Sequence, residues 1–233
     1  MKLKILLVVA ALTSGGAVVA QTSVIFDSVN RLNLSNDGNV EVDNTSNHAL
    51  LVGDSGSNSD RFFETIAIFD IRGLCSEIEQ CGSITLEFDY SEVLGAGVSG
   101  ITAYGYESNV AKVGDATGSS QRTLALAGTS AGTVSSFSLG LTGGTAVWDT
   151  TSIVKAASNN DADYIGFLFT SGISSNDGNS TADAVRFFRQ GTIENGLSLE
   201  ITAIPEPSVF ATFGGILAFI WVSSRRLKAN VKT

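Results

Sequence analysis

The 233-residue chain has a formal net charge of −9, but its two ends are chemically unlike its middle. Residues 21–204 hold eight cations against 22 acids, a net of −14, so this body repels nucleic acid and anionic lipid and is not expected to bind DNA or RNA. With one histidine, two cysteines and a bias to Gly, Ser, Thr, Asn and Asp, it is long enough for one well-filled core.

Taken in chain order, the first element is a secretory signal over residues 1–20. Lys2 and Lys4 precede the apolar run Ile5–Leu12, and Val18-Val19-Ala20 sets up a cut before Gln21. The apolar run is too short to cross about 30 Å of hydrocarbon. The Gly/Asn/Ser/Asp cluster at 53–60 predicts a turn, and Phe63–Ile71, more continuously apolar than the alternating runs, suits a central strand. Cys75 and Cys81 enclose five residues. In an exported chain they predict a structural disulfide closing a small loop, worth about 2–3 kcal/mol.

Ser83–Tyr90 alternates cleanly, with Ile84, Leu86, Phe88 and Tyr90 on one face and Thr85, Glu87 and Asp89 on the other. Ile101–Tyr106, Ile165–Thr170, Ala184–Phe188 and Ser198–Thr202 are further strands, and 174–180 is another turn. Trp148–Ala157 reads as the start of a short helix capped by Asp149 or Thr150. No long amphipathic helix is evident. Short strands separated by Gly-rich turns predict an all-β body over 21–203, a β-sandwich of jelly-roll type.

The tail, 204–233, begins Ile204-Pro205-Glu206-Pro207-Ser208. Two prolines around one residue force an extended, accessible peptide. An uncharged run follows, giving a short transmembrane segment over 209–224, and then a basic cluster over 225–233 led by Arg225, Arg226 and Lys228. The cations after the run obey the positive-inside rule.

Several residues invite a chemical reading. Glu87 and Asp89 sit about 7 Å apart on one strand face, a spacing open to an inverting glycosidase, but the favoured reading is the solvated face of an amphipathic strand. An acid catalyst needs an apolar pocket to raise its pKa, and the sequence marks none. His48, the only imidazole, has no spaced carboxylate to orient it, and no Gly-x-Ser-x-Gly elbow occurs. Asp54, Asn58 and Asp60 space oxygen ligands as calcium loops do, without a later bidentate Glu, so a plain polar turn is favoured and no cofactor is expected beyond a calcium candidate. Arg61-Phe62-Phe63 and Arg186-Phe187-Phe188-Arg189 could stack on sugars. The plainer reading packs one Phe of each pair in the core and pairs the Arg with the acidic surface.

The tail resembles a PEP-CTERM sorting domain, carried by Pro205-Glu206-Pro207-Ser208, the short apolar helix and the Arg-rich cluster in that order. The resemblance implies recognition by an exosortase, cleavage near the motif, and delivery to the surface or exopolysaccharide matrix of a biofilm-forming bacterium. The body is similar in pattern to DNRLRE-type domains, jelly-roll modules related to carbohydrate-binding modules. That likeness rests on Gly38-Asn39-Val40, Leu50–Gly53, Arg61, Phe69-Asp70-Ile71, Ile84–Phe88, Trp148–Val154, Gly166-Phe167, Phe188–Gly191 and Leu197–Ile201.

The expectation is a non-catalytic, polysaccharide-associated protein of the cell surface or matrix. Its partners would be signal peptidase, exosortase, exopolysaccharide, and the inner membrane before processing. A secreted glycan hydrolase or lyase and a purely structural or adhesive surface protein are the alternatives.

Overall fold

The structure is a computed structural model that describes residues 4–8, 21–27, 30–35, 40–42, 50–54, 62–95, 97–114, 117–138, 143–171, 183–187 and 197–203. In order these form β1 (Lys4–Val8), β2 (Gln21–Asp27), β3 (Asn30–Ser35), β4 (Val40–Val42), β5 (Leu51–Asp54) and β6 (Phe62–Asp70), then α1 (Cys75–Glu79), β7 (Cys81–Leu94) and β8 (Gly97–Ser108). Next come α2 (Gly118–Leu126), β9 (Thr129–Ser138), β10 (Gly144–Asp149), α3 (Thr151–Asn159), β11 (Tyr164–Thr170), β12 (Ala184–Phe187) and β13 (Leu197–Ala203). The protein is mostly β, an antiparallel sheet that curls so that two stretches of it face each other across the core.

Strand β7 organises the curl. Over Leu86–Phe88 it pairs with β13 and with β10, and from Tyr90 to Leu94 it pairs with β12. β12 then pairs with β5, and β5 with β6, so the sheet continues through β6, β11 and β8 to β9. β13 also pairs with β2, from Ser198↔Asp27 to Thr202↔Ser23, and β2 pairs with β1. β3 lies along β6 and carries β4.

The sequence patterns explain which faces are buried. On β7, Ile84, Leu86 and Phe88 are buried while Thr85, Glu87 and Asp89 stay half-exposed, as period-2 alternation requires. The runs Ile66–Phe69 of β6 and Ile165–Phe169 of β11 carry no polar side chain because both of their faces are covered. Ala67, Phe69, Ile165, Phe167 and Phe169 face the main core. Ile66, Ile68 and Leu168 face outward into a second, smaller cluster with Tyr106, Val113 and Ala125, roofed by α2. Gly166 belongs to that arrangement: a Cβ there would lie 2.3 Å from Cζ of Tyr106, so only glycine lets the ring lie across the strand.

The two facing stretches lock through aromatic rings. Phe169 of β11 meets Phe88 of β7 at 4.6 Å between centroids and Trp148 of β10 at 5.3 Å. Helix α3 closes one end of the core with Ile153, Val154 and Ala157, beside Ile78 of α1. It ends in a Schellman motif: Ala162 N–H donates to Ala157 O at 3.0 Å and Asp161 N–H to Ser158 O at 3.1 Å, with Asp161 at φ 56° where glycine is usual.

Two expectations need correction, and a third is sharpened. The short helix expected within 148–157 begins at Thr151 with Thr150 as its N-cap, one of the two caps the sequence offers, while Trp148 is a buried inward residue of the strand. Asp149 still holds the first turn, accepting the Thr151 N–H at 3.0 Å. Gly53 and Asp54 belong to β5 instead of a turn; residues 55–60 lie outside the described residues. The Cys75–Cys81 disulfide is not formed. Helix α1 carries the chain forward about 1.5 Å per residue between the two positions, and Cys81 is a free, buried thiol whose S–H donates to Ile78 O at 3.0 Å. Among the described residues no helix is long and apolar enough to cross a membrane, and residues 204–233 lie outside them.

Phe169→Ala is expected to cost about 3–5 kcal/mol in urea unfolding, since it removes the ring shared by the two facing stretches of the sheet. Asp161→Gly is expected to raise stability by up to about 1 kcal/mol, read as a higher melting temperature.

Candidate functional site

The acid pair singled out in the sequence lies on the outer face of the β13–β7–β10 part of the sheet. Cross-strand register builds the rest of that face. Glu87 lies opposite Ser198 of β13 and Val147 of β10, Thr85 opposite Glu200 and Asp149, and Asp89 opposite Thr145. Glu87, Asp89, Glu200 and Asp149 therefore share one face of three adjacent strands, interleaved with Ser and Thr. Sequence reasoning found the first two. Glu200 and Asp149 were missed because only strand register, which a single sequence does not carry, brings them alongside.

Two of the four acids have structural duties. Asp149 accepts hydrogen bonds from the N–H and the hydroxyl of Thr151, which hold its carboxyl below the usual carboxylate range and fix the start of α3. Asp89 accepts from the Thr145 hydroxyl at 2.5 Å, tying β10 to β7. Glu87 is different. Partial burial, with the charges of Glu200 and Asp89 beside it, raises its carboxyl above the ordinary Glu value. The surroundings are an open strand surface, with Val147 of the same face 46 % exposed. Such a face offers carboxylates and hydroxyls as hydrogen-bond partners for polyols or cationic groups.

The outer face of β6, β11 and β8 carries three further polar constructions that the sequence reading did not find. Arg122 of α2 grips the buried Glu64 of β6 with two hydrogen bonds, at 2.5 and 3.1 Å. Ser108, Gln121 and Asn109 form a linked set beside it, with Ser108 Oγ donating to Gln121 Oε1 and Gln121 Nε2 to Asn109 Oδ1. Asp70 accepts from Arg72 through Nε at 2.9 Å and Nη2 at 2.6 Å, and the guanidinium lies 4.9 Å above the Tyr164 ring. That contact holds the Asp70 carboxyl low. Tyr106 lies buried in the cluster under α2, and burial pushes its hydroxyl pKa up, against a smaller opposing effect of Ser108.

The remaining candidates are quickly placed. Asp54 is buried at the end of β5, where its N–H donates to Asp183 O at 2.9 Å, while Asn58 and Asp60 lie outside the described residues. Among the described residues no group of three or more His, Cys, Asp or Glu is placed to hold a metal ion. Arg186 pairs with Glu92, as the plainer reading of that motif expects, and Phe63 is half-buried in β6. Phe62 and Phe187 occupy strand positions in β6 and β12. His48, Arg61, Phe188, Pro205, Glu206, Pro207, Ser208, Arg225, Arg226 and Lys228 lie outside the described residues.

The pKa directions set an acid–base profile. Glu87, raised in the fold, contributes stability that is present below its unfolded pKa and lost as pH rises through the folded value. Asp70 and Asp149, depressed in the fold, contribute stability present above their unfolded pKa and lost as pH falls through their folded values. Glu87→Gln is expected to increase stability at neutral pH, and Asp149→Asn to remove part of the acid-side loss. Urea midpoints measured from pH 3 to pH 7 check both, and a midpoint unchanged at pH 7 in Glu87→Gln would contradict the first. No known protein-family profile matches the chain, and no curated protein sequence matches it.

Proposed function

We propose that the chain is an exported protein sorted by an exosortase to the cell surface or extracellular matrix, where its body associates with polysaccharide without catalysing a reaction. One observation carries the reading: Pro205-Glu206-Pro207-Ser208, an uncharged run and an Arg-Arg-x-Lys cluster follow one another over 30 residues, at the opposite end of the chain from a signal-like segment. Each part has a physical role. The prolines keep the cleavage motif extended, the run holds the precursor in the inner membrane, and the cations keep the far end on the cytoplasmic side.

The curled antiparallel sheet is read here as a β-sandwich of jelly-roll type, with β13, β7 and β10 in one layer and β6, β11 and β8 in the other. The acidic, hydroxyl-rich outer face of β13, β7 and β10 supports association with a polyhydroxylated partner. A secreted glycan hydrolase is the second reading. It is favoured by the raised Glu87 carboxyl beside Glu200.

Replacing Glu206 or both prolines is expected to leave uncleaved precursor in the inner membrane, detected by fractionation and mass spectrometry, with the N terminus of the exported form at Gln21. Normal release of those variants would overturn the sorting assignment. Pull-down of the exported protein with insoluble polysaccharides, including the host's own, tests association, and no retention on any of them would remove that part. Hydrolytic or lyase activity lost in Glu87→Gln would establish the second reading instead.

A further inference from the structure

The charged residues are unevenly spread. From Thr123 to Trp148 the chain runs 26 residues without a charge, although 37 of the 233 residues are charged. This stretch holds the second half of α2, all of β9, and β10 up to its last residue. The three large hydrophobic side chains that are exposed among the described residues, Leu124, Leu126 and Val147, all fall within it.

Among the described residues, the same stretch carries an open sheet edge. β9 pairs with β8 on one side, and among the described residues no strand pairs with its other side. A bulge at Ala131–Gly132, with Gly132 at φ 97°, separates the start of β9 from Thr133–Ser138, which runs in continuous register with β8. Edge strands are normally guarded by lysine, proline or inward-pointing charge. Thr133–Ser138 has none of these, and Thr133 and Ser135 point to solvent.

We infer that Thr133–Ser138 is a self-association edge that pairs antiparallel with the same segment of a second copy of this chain. Charge decides the occupant. Two bodies of net −14 repel wherever their acidic faces meet, so the uncharged edge of β9, continuous in the chain with the exposed Leu124 and Leu126 at the end of α2, is where two copies can approach without desolvating carboxylates. A two-fold axis through β9 joins two neutral edges, satisfies their open N–H and C=O groups, and extends the sheet from one copy into the next. The inference goes beyond sorting and polysaccharide association, and it stands whether or not they hold.

The test is sedimentation velocity of the full chain in a non-ionic detergent that shields its apolar ends, across a wide protein concentration range at low and high salt. The wild type is expected to dimerise with rising concentration, more tightly at high salt because screening weakens the repulsion between bodies. Ser135→Lys places an ammonium beside its own image across the axis and is expected to raise the dissociation constant about tenfold or more, with circular dichroism and melting temperature unchanged. Ser135→Glu, at the same exposed position, is expected to act alike. A wild type that stays monomeric throughout, an association that weakens with salt, or a folded charged variant that dimerises as before would each overturn the inference.

Discussion

Phe169 is the side chain on which the two facing stretches of the curled sheet agree. It stands on β11, between β6 and β8, and reaches Phe88 and Trp148, which belong to the neighbouring strands β7 and β10. A curled sheet is stable only if its inner faces exclude water along their whole length, and a ring held by two others fixes both separation and register. A one-residue slip of β7 against β10 would send Phe88 to the solvent side and Glu87 into the core. The placing of the acidic face therefore depends on this aromatic contact, because the same alternation that buries Phe88 displays Glu87 and Asp89.

Around that contact the chain uses polar groups where apolar surface runs short. Helix α2 buries few apolar side chains, Ala125 among them, and is held to the sheet by the Arg122–Glu64 pair and by Gln121. Breaking a buried pair by removing one partner costs several times what an exposed pair contributes, so Glu64 and Arg122 act as one unit. By contrast, α3 presents Ile153, Val154 and Ala157 to the core and starts on the Asp149 contacts.

How much of this was legible in the sequence follows from the kind of signal each element carries. β7, β6, β11, β13 and β8 were readable because period-2 alternation or continuous apolar runs need no knowledge of the neighbours. β9 was not. Its Thr-Ser-Ala-Gly-Thr-Val-Ser-Ser-Phe-Ser offers one large inward residue, Phe137, and its strand form comes from pairing with β8. α2 was missed because it lacks a continuous apolar stripe. The disulfide failed for a related reason: short spacing between cysteines suggested closure, but five residues wound into a helix face Cys81 toward Ile78 instead. The acid pair was read correctly as a strand face, while its companions Glu200 and Asp149 depend on register, a property of pairs of strands.

The pairing of β2 with β13 carries a mechanical consequence. Ser23 lies opposite Thr202, so the start of β2 and the end of β13 lie side by side on adjacent antiparallel strands. A pull applied between those two points would open the ladder rung by rung, as a zipper opens, instead of loading all its hydrogen bonds together. The β2–β13 seam would then yield first and at low force, while β7, flanked on both sides, stays whole.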